Sequence, residues 1–329
     1  MKNLAIIGGG SWGTALAIVL AHRFSRVTLW VYESDLAARM VASRVNDIYL
    51  PGSVIPTNVE IGSNLTSGLD QASIVLSVMP SHLARGVYQR MLPALNENMV
   101  FVSATKGLEN HSLLRTSEVI REVVGKCRVA VISGPSFAKE VARFEPTAVV
   151  AASSDAGVAE IIQAAFSGPT FRVYTSADPI GVEIGGSIKN VVAIGAGVLH
   201  GMGLGHNAMA ALITRGLAEM TRLAVAMGGK PQTLAGLAGL GDLVLTCTGD
   251  LSRNRTVGVE LARGRKLDEI VNSMRMVAEG IKTTDAAVDL AARYSVEMPI
   301  AGQMHRMLHA GSSPQEAIRQ LMERSLKGE

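Results

Sequence analysis

Leu4-Ala-Ile-Ile-Gly-Gly-Gly-Ser-Trp-Gly13, running on into Thr14-Ala-Leu-Ala-Ile-Val-Leu-Ala21, decides the fold. A short apolar run ends in glycines, and a helical pattern opens where the glycines stop. Gly8, Gly10 and Gly13 satisfy G-x-G-x-x-G, a weak signal alone and a strong one between a strand and a helix. Gly8 permits the tight turn, Gly10 lets the backbone approach a pyrophosphate, and Gly13 lets helix and strand pack closely. A phosphate would sit at the helix start among unpaired N–H groups. NAD or NADP is therefore the expected cofactor; the plain alternative is a glycine-rich turn with no ligand.

Outward from that stretch, β-branched runs recur at Val27–Val31, Ile74–Val78, Val100–Ser103, Val129–Ile132, Ala148–Ala151 and Phe171–Tyr174. Helical patterns lie between several of them, at Thr14–Arg23, Leu113–Val124 and Ala156–Phe166. Near-continuous apolar strands separated by helices predict a mostly parallel, doubly wound α/β sheet covered on both faces. From Ile180 onward strand patterns stop, and Ala210–Met227, Thr256–Arg263, Thr283–Tyr294 and Pro314–Leu326 have helical spacing. The expected organisation is a Rossmann-type dinucleotide-binding domain over 1–180 and an all-helical substrate-binding domain over 181–329, with the boundary near Asp178-Pro179.

The composition excludes several classes. The chain has 329 residues, 48% of them hydrophobic, so a large core is available. A net charge of +3 leaves no basic footprint for nucleic acid. Cys127 and Cys247 have no metal spacing and read as free thiols in a reducing, cytoplasmic setting. No carboxylate–histidine cluster has metal spacing either, and no metal is expected. Asn190–Thr214 contains no Asp, Glu, Lys or Arg and is long enough to cross a bilayer. It also holds Asn190, His200, His206, Asn207 and five glycines, which points to buried core helices around a glycine-rich break rather than an integral membrane segment. Apolar surface left over on the helical half is expected to be buried in a homodimer.

Lys189 immediately precedes this stretch and, histidines aside, is the only charged side chain between Glu183 and Arg215. An ammonium there is costly to bury unless something pairs with it. The ordinary alternative is a lysine whose head snorkels to water. Other segments are too unusual for plain loops. Ala104-Thr-Lys106-Gly-Leu-Glu109 directly follows a strand, where open α/β sheets bind ligands. Gly239-Leu-Gly-Asp242 carries an acid among glycines. Ser252-Arg-Asn-Arg255 reads as an N-cap followed by basic residues in a helix's first turn. That is poor for the helix dipole and good for holding a phosphate. Glu33, about twenty residues past the last glycine, is placed for a ribose 2′-hydroxyl and leans toward NAD, with a solvated loop glutamate as an equally ordinary alternative.

With these blocks in order, the chain closely resembles the NAD(P)-dependent glycerol-3-phosphate dehydrogenases of bacteria. The matching stretches include Gly8–Ala17, Ala104–Glu109, Ser133–Glu140, Ile188–Val191, Ala238–Leu243, Ser252–Arg255 and Val277–Gly280. The resemblance implies interconversion of dihydroxyacetone phosphate and sn-glycerol 3-phosphate, supplying phospholipid backbones. It implies Lys189 as proton donor or base, with Lys106, Asp242, Asn190 and Thr246 in the same site. Substrate would be held by Gly134, Ser136, Ser252, Arg253 and Asn254 together with Lys106, Lys189 and Asp242. Cofactor would contact Ser11, Trp12, Lys106, Ala138, Arg253, Val277 and Glu279, with Tyr32 and Glu33 at the adenosine ribose.

On this reading Lys189 donates the proton, Asp242 orients its ammonium, and Lys106 adds positive charge. Two other functions remain to be weighed: a related two-domain dehydrogenase acting on a hydroxy acid such as 6-phosphogluconate or ketopantoate, and a dinucleotide sensor without chemistry. His200, His206, Trp30 and the methionines of the 202–227 stretch read as packing or loop residues.

Overall fold

The computed structural model describes residues 3–69, 71–274 and 278–325. By its internal contacts the chain separates into two compact units, Met1–Glu183 and Ile184–Glu329.

The first unit contains strands β1 (Asn3–Ile7), β2 (Arg26–Trp30), β3 (Val45–Asn46), β4 (Leu50–Val54), β5 (Val59–Gly62), β6 (Ile74–Ser77), β7 (Val100–Ser103), β8 (Arg128–Ser133), β9 (Thr147–Ala152) and β10 (Phe171–Ser176). Its helices are α1 (Ser11–Leu20), α2 (Ser34–Ser43), α3 (Ala84–Met91), α4 (Thr116–Val124), α5 (Ala138–Ala142) and α6 (Ala156–Phe166). Eight strands form one sheet in the order β10-β9-β8-β7-β6-β1-β2-β5. Every neighbouring pair is parallel except β8 with β9. The strand order reverses at β1, which lies between β2 and β6; ligands of open sheets bind at such a reversal, off the carboxyl ends of the strands.

Alternation along the strands explains their unbroken hydrophobicity. Leu4 and Ile6 of β1, Ile74 and Leu76 of β6, and Val100 and Val102 of β7 enter one core with α1 and α6. Ala5, Ile7, Val75 and Phe101 point to the other face and pack with Tyr88, Met91, Val119 and Ile120 of α3 and α4. Successive side chains leave opposite faces, so a strand buried on both must be apolar throughout.

The sequence expectation and the structure differ in several details, among them the separate antiparallel pair β3–β4 and two others. β5 forms an edge of the sheet; its Val-Glu-Ile-Gly is too short and too polar to stand out, and pairing with β2 makes it a strand. The helix expected from Leu113 starts only at Thr116, because Leu113 has φ 64° and Arg115 pairs with Leu108 in an isolated bridge. Arg115 and the amide and hydroxyl of Ser117 then hold the buried carboxylate of Glu183, with Arg115 Nη1 2.5 Å from Glu183 Oε2.

Helix α7 (Pro179–Gly201) crosses the division between units, and the boundary expected at 180/181 lies in its first turn. The second unit continues with α8 (His206–Ala226), α9 (Pro231–Leu234), α10 (Asp242–Thr248), α11 (Arg253–Ala262), α12 (Leu267–Ser273), α13 (Glu279–Arg293), α14 (Pro299–His309) and α15 (Pro314–Met322). A π-helical turn at Leu237–Gly241 leads into α10. Among the described residues no strand follows β10. The uncharged stretch is the end of α7, a break over residues 202–205, and the start of α8. Helix α7 is long and apolar enough to cross a membrane, and 94% of its most apolar window is buried.

The glycines within α7 are contact points rather than breaks. A Cβ on Gly197 would lie 1.9 Å from Arg255 O, and one on Gly258 of α11 would lie 1.9 Å from Ile194 O. The two helix backbones touch there, which only glycine allows. His200 and His206 are exposed at the two helix ends that flank the break, so neither is a core residue.

Glu219 of α8 is 3% exposed and accepts from the backbone amides of Ile300 (2.7 Å) and Ala301 (3.3 Å) at the start of α14. Burial outweighs those donors and raises its pKa from 4.5 to about 7. The folded state then holds a proton that the unfolded chain releases. Stability from Glu219 is full below pH 4.5 and is lost as pH rises through about 7. The expected loss is roughly 3 kcal/mol. Denaturant unfolding of Glu219→Gln should be flatter between pH 4.5 and 8 than that of the parent protein; parallel pH profiles would refute the assignment.

Candidate active site

The sheet's carboxyl edge carries the first group of residues. Gly8 follows β1 with φ 128°, and a Cβ there would sit 2.2 Å from Val78 O. A Cβ on Gly13 would sit 1.9 Å from Gly8 O, so helix α1 lies against the turn only because residue 13 has no side chain. A Cβ on Gly10 would meet nothing within 4 Å, which leaves its face of the loop open. No side chain caps α1, so its first N–H groups point into that opening. Trp12 Nε1 is buried without a hydrogen-bond partner.

Glu33, at the N-cap of α2, accepts from the hydroxyl of Tyr49 at 2.7 Å. Burial and then the Glu33 carboxylate push the Tyr49 pKa up to about 12, so the phenol keeps its proton. Tyr32 beside it is 73% exposed. Sequence reasoning missed the residue that ties this corner to the glycine loop. Asn46 is fully buried and donates to Gly9 O and Thr14 Oγ1, both at 2.8 Å, while its Oδ1 accepts from Tyr49 N at 2.9 Å. In sequence Asn46 looks like any polar turn residue, and only the packed fold reveals what it holds.

Two strands further along the same edge, Lys106 follows β7. Its Nζ donates to Gly134 O at 3.0 Å and lies 3.4 Å from Ser136 Oγ. Ser136 donates to the same carbonyl at 2.8 Å. Gly134 follows β8 with φ 148°, and a Cβ there would lie 2.9 Å from Val149 Cα. Lys106, Gly134 and Ser136 thus form one cluster, with Ala138 opening α5 just beyond.

The second group lies within the helical unit. Lys189 on α7 is 5% exposed, Asp242 1% and Thr246 4%. Lys189 Nζ donates to Asp242 Oδ1 and to Thr246 Oγ1, the latter at 2.7 Å. Asp242 and Thr246 are one turn apart on α10, which puts both on the face met by the ammonium. Thr246 donates its own proton to Asp242 O at 2.6 Å, so its oxygen presents a lone pair to Lys189. The π-helical turn before Asp242 lets backbones approach closely, since a Cβ on Gly239 would lie 2.0 Å from Leu234 O. The lysine is therefore buried and paired, which disposes of the snorkelling alternative. Nearby Cys247 has its pKa raised to about 12, chiefly by burial, and stays a neutral thiol.

Ser252 caps α11, its hydroxyl accepting from Arg255 N at 3.2 Å. Asn190, Asn254 and Gly280 form a ladder. Asn254 Nδ2 donates to Asn190 Oδ1 and Gly280 N donates to Asn254 Oδ1, both at 2.9 Å. Ser252 and Asn254 thus have structural partners, whereas the Arg253 residue is exposed. Although the residue reaches solvent, its guanidinium is crowded by the surrounding chain, and that desolvation lowers the Arg253 pKa from its ordinary value while Glu279 opposes it; a guanidinium remains charged regardless. Glu279 begins α13. Val277 lies outside the described residues.

Comparison with known proteins supplies the family context. Residues 3–159 match the family described as NAD-dependent glycerol-3-phosphate dehydrogenase N-terminus, and 178–319 match its C-terminus. A relative from Koribacter versatilis named glycerol-3-phosphate dehydrogenase (NAD(P)+) is 58% identical over 98% of each chain. One of the same name from Citrifermentans bemidjiense is 51% identical over 100% of this chain and 99% of its own. The crystal structure of glycerol-3-phosphate dehydrogenase from Coxiella burnetii is 45% identical, covers 98% of this chain and 99% of that one, and superposes with a TM-score of 0.94.

Proposed function

This chain belongs to the NAD-dependent glycerol-3-phosphate dehydrogenase family, and from that premise we propose that it interconverts dihydroxyacetone phosphate and sn-glycerol 3-phosphate with NAD(H) or NADP(H). The observation that carries the proposal is the buried Lys189–Asp242–Thr246 group, set in the same helical unit as the exposed Arg253 at the start of α11.

The first unit fits the dinucleotide. The open face at Gly10, the uncapped start of α1 and the unmet indole donor of Trp12 suit a phosphate-bearing ligand. Gly8, Gly10, Ser11, Trp12 and Gly13 would hold it, with Tyr32 and Glu33 at the ribose and Lys106, Ala138, Arg253, Val277 and Glu279 as further contacts. When bound, the cofactor supplies or accepts the hydride exchanged at substrate C2.

The chain's own residues supply the rest. Lys189 gives a proton to the C2 oxygen as negative charge builds there, and takes it back in the oxidative direction. Asp242 keeps the lysine oriented and Thr246 fixes a second direction of its ammonium. Lys106 adds positive charge for the developing alkoxide. Arg253 pairs with the phosphate, and that remote binding energy positions the carbonyl. Gly134, Ser136, Ser252, Asn190 and Asn254 complete the substrate surroundings. The ladder through Asn190 and Asn254 gives those two a positioning role.

The product would feed phospholipid synthesis. The free thiols of Cys127 and Cys247 suit a reducing, cytoplasmic compartment. Exposed Leu204, Leu240, Val244 and Leu251 on the helical unit suit burial in a homodimer.

Oxidation of NADH and NADPH followed with dihydroxyacetone phosphate, dihydroxyacetone and ketopantoate tests the reading. Dihydroxyacetone phosphate should exceed the unphosphorylated ketone by about a thousandfold in kcat/KM, the worth of roughly 4 kcal/mol of phosphate binding. With Glu33 at the ribose, NADH should be the better cofactor. Preference for ketopantoate would move the chain to a different substrate class.

A further inference from the structure

We propose that Asp285, His305 and His309 form a binding site for one divalent transition-metal ion of the zinc class, which clamps α13 to α14. His305 and His309 are one turn apart on α14, so their imidazoles share a face. Their ring centroids are 4.9 Å apart and tilted by 51°. Asp285 reaches them from α13. His309 Nε2 is 2.7 Å and His305 Nε2 is 3.6 Å from Asp285 Oδ1. One ligand atom from each residue lies within 4.8 Å of the other two.

One observation separates this group from an ordinary ion pair. Asp285 Oδ1 is shielded from solvent as an atom yet has no hydrogen-bond partner, even with an imidazole nitrogen at 2.7 Å. The approach is close but no N–H is aligned on the oxygen. A single cation at the centre would satisfy that oxygen and both nitrogens together. Tetrahedral zinc with bonds of about 2.0–2.2 Å holds its ligand atoms about 3.3 Å apart, so modest rotamer adjustments complete the shell. Two imidazoles and one carboxylate are the donors that zinc, nickel and copper favour over magnesium or calcium. With the three side chains 37–49% exposed, water can fill the remaining position.

Sequence spacing hides the site, because Asp285 is separated from the histidine pair by the end of one helix and the start of the next. The expectation of no metal rests on local spacing alone. The clamp joins helices whose first turns carry Glu279 in one case and the amides held by Glu219 in the other.

Full-length protein freed of metal by chelation, then titrated with ZnCl2 against a chromogenic chelator, tests the proposal without reference to enzymatic activity. One equivalent of Zn2+ per chain should bind, and saturation should raise the melting temperature. The surface variant His305→Gln/His309→Gln should keep the metal-free melting temperature, lose the zinc-dependent rise and bind about tenfold or more weakly. Asp285→Asn should also weaken binding. Absence of zinc uptake by the parent protein would mean a bare histidine–aspartate pair and overturn the proposal. Wild-type affinity in either variant would overturn it equally.

Discussion

Lys189→Met should lower turnover by about four orders of magnitude or more while leaving dinucleotide binding in place. Loss of a positioned proton donor costs about 10²–10⁴ in rate, and loss of a cation facing the developing alkoxide costs about 10²–10³ more. Methionine roughly preserves the volume at a site that is 5% exposed, so a cavity is not the cause. The substitution does strand Asp242, 1% exposed, without the ammonium of Lys189. Leaving one charge of a buried pair alone costs about 3–5 kcal/mol of stability. Lys189→Met/Asp242→Asn removes that charge and should recover stability without recovering turnover. Nicotinamide fluorescence on titration reports cofactor binding in each variant. Turnover within a few-fold of the parent enzyme in Lys189→Met would take this lysine out of the chemistry.

Arg253→Ala should lower kcat/KM for dihydroxyacetone phosphate by about 10²–10³, the cost of truncating one partner of a charge-assisted pair. Its mark should be a collapse of the preference for the phosphorylated ketone over dihydroxyacetone, because only the former has the anion. Arg253 is exposed, so the melting temperature should hardly move. Arg253→Lys keeps the charge but not the two-pronged guanidinium, and should fall between. Saturation with dihydroxyacetone phosphate unchanged from the parent would place the phosphate elsewhere. The two variants also report differently: Lys189 should act chiefly on kcat, and Arg253 on KM together with substrate discrimination.

The fold is legible in the sequence wherever local pattern and tertiary environment agree. Apart from Asn3, Ser77 and Ser103 at their ends, strands β1, β6 and β7 are apolar because both sheet faces are covered, and continuous runs reveal that. Helix α6 was expected and found at Ala156–Phe166, with Asp155 capping it through Gly157 N. The edge strand β5 was not legible, since Glu60 interrupts it and β2 supplies the pairing that orders it. The glycines of α7 look like helix breakers until α11 is laid against them. For Gly197 and Gly201 the reason is the backbone at Arg255 and Val259, about 58 residues away along the chain and beyond the reach of any local pattern.

The site divides in the same way. The glycine loop could be read from its spacing because its physics is local: a strand, a turn and a helix start in consecutive residues. Ser252 was recognisable as a cap for the same reason, and it caps α11. Sequence alone therefore determined the class of the first unit, the helical nature of the second, and which charged residues stand out from their surroundings. It could not determine what those residues hold. The structure pairs Lys189 with Asp242 and Thr246, ties Asn190 to Asn254 and Gly280, and sets Asn46 between the glycine loop and Tyr49. It also gathers Asp285, His305 and His309. Apart from the bond between Tyr49 N and Asn46 Oδ1, three residues apart, each of these contacts joins segments well separated in the chain. A side chain's burial and partners depend on what the fold brings against it, whereas turns, caps and periodicities are written within a few consecutive residues.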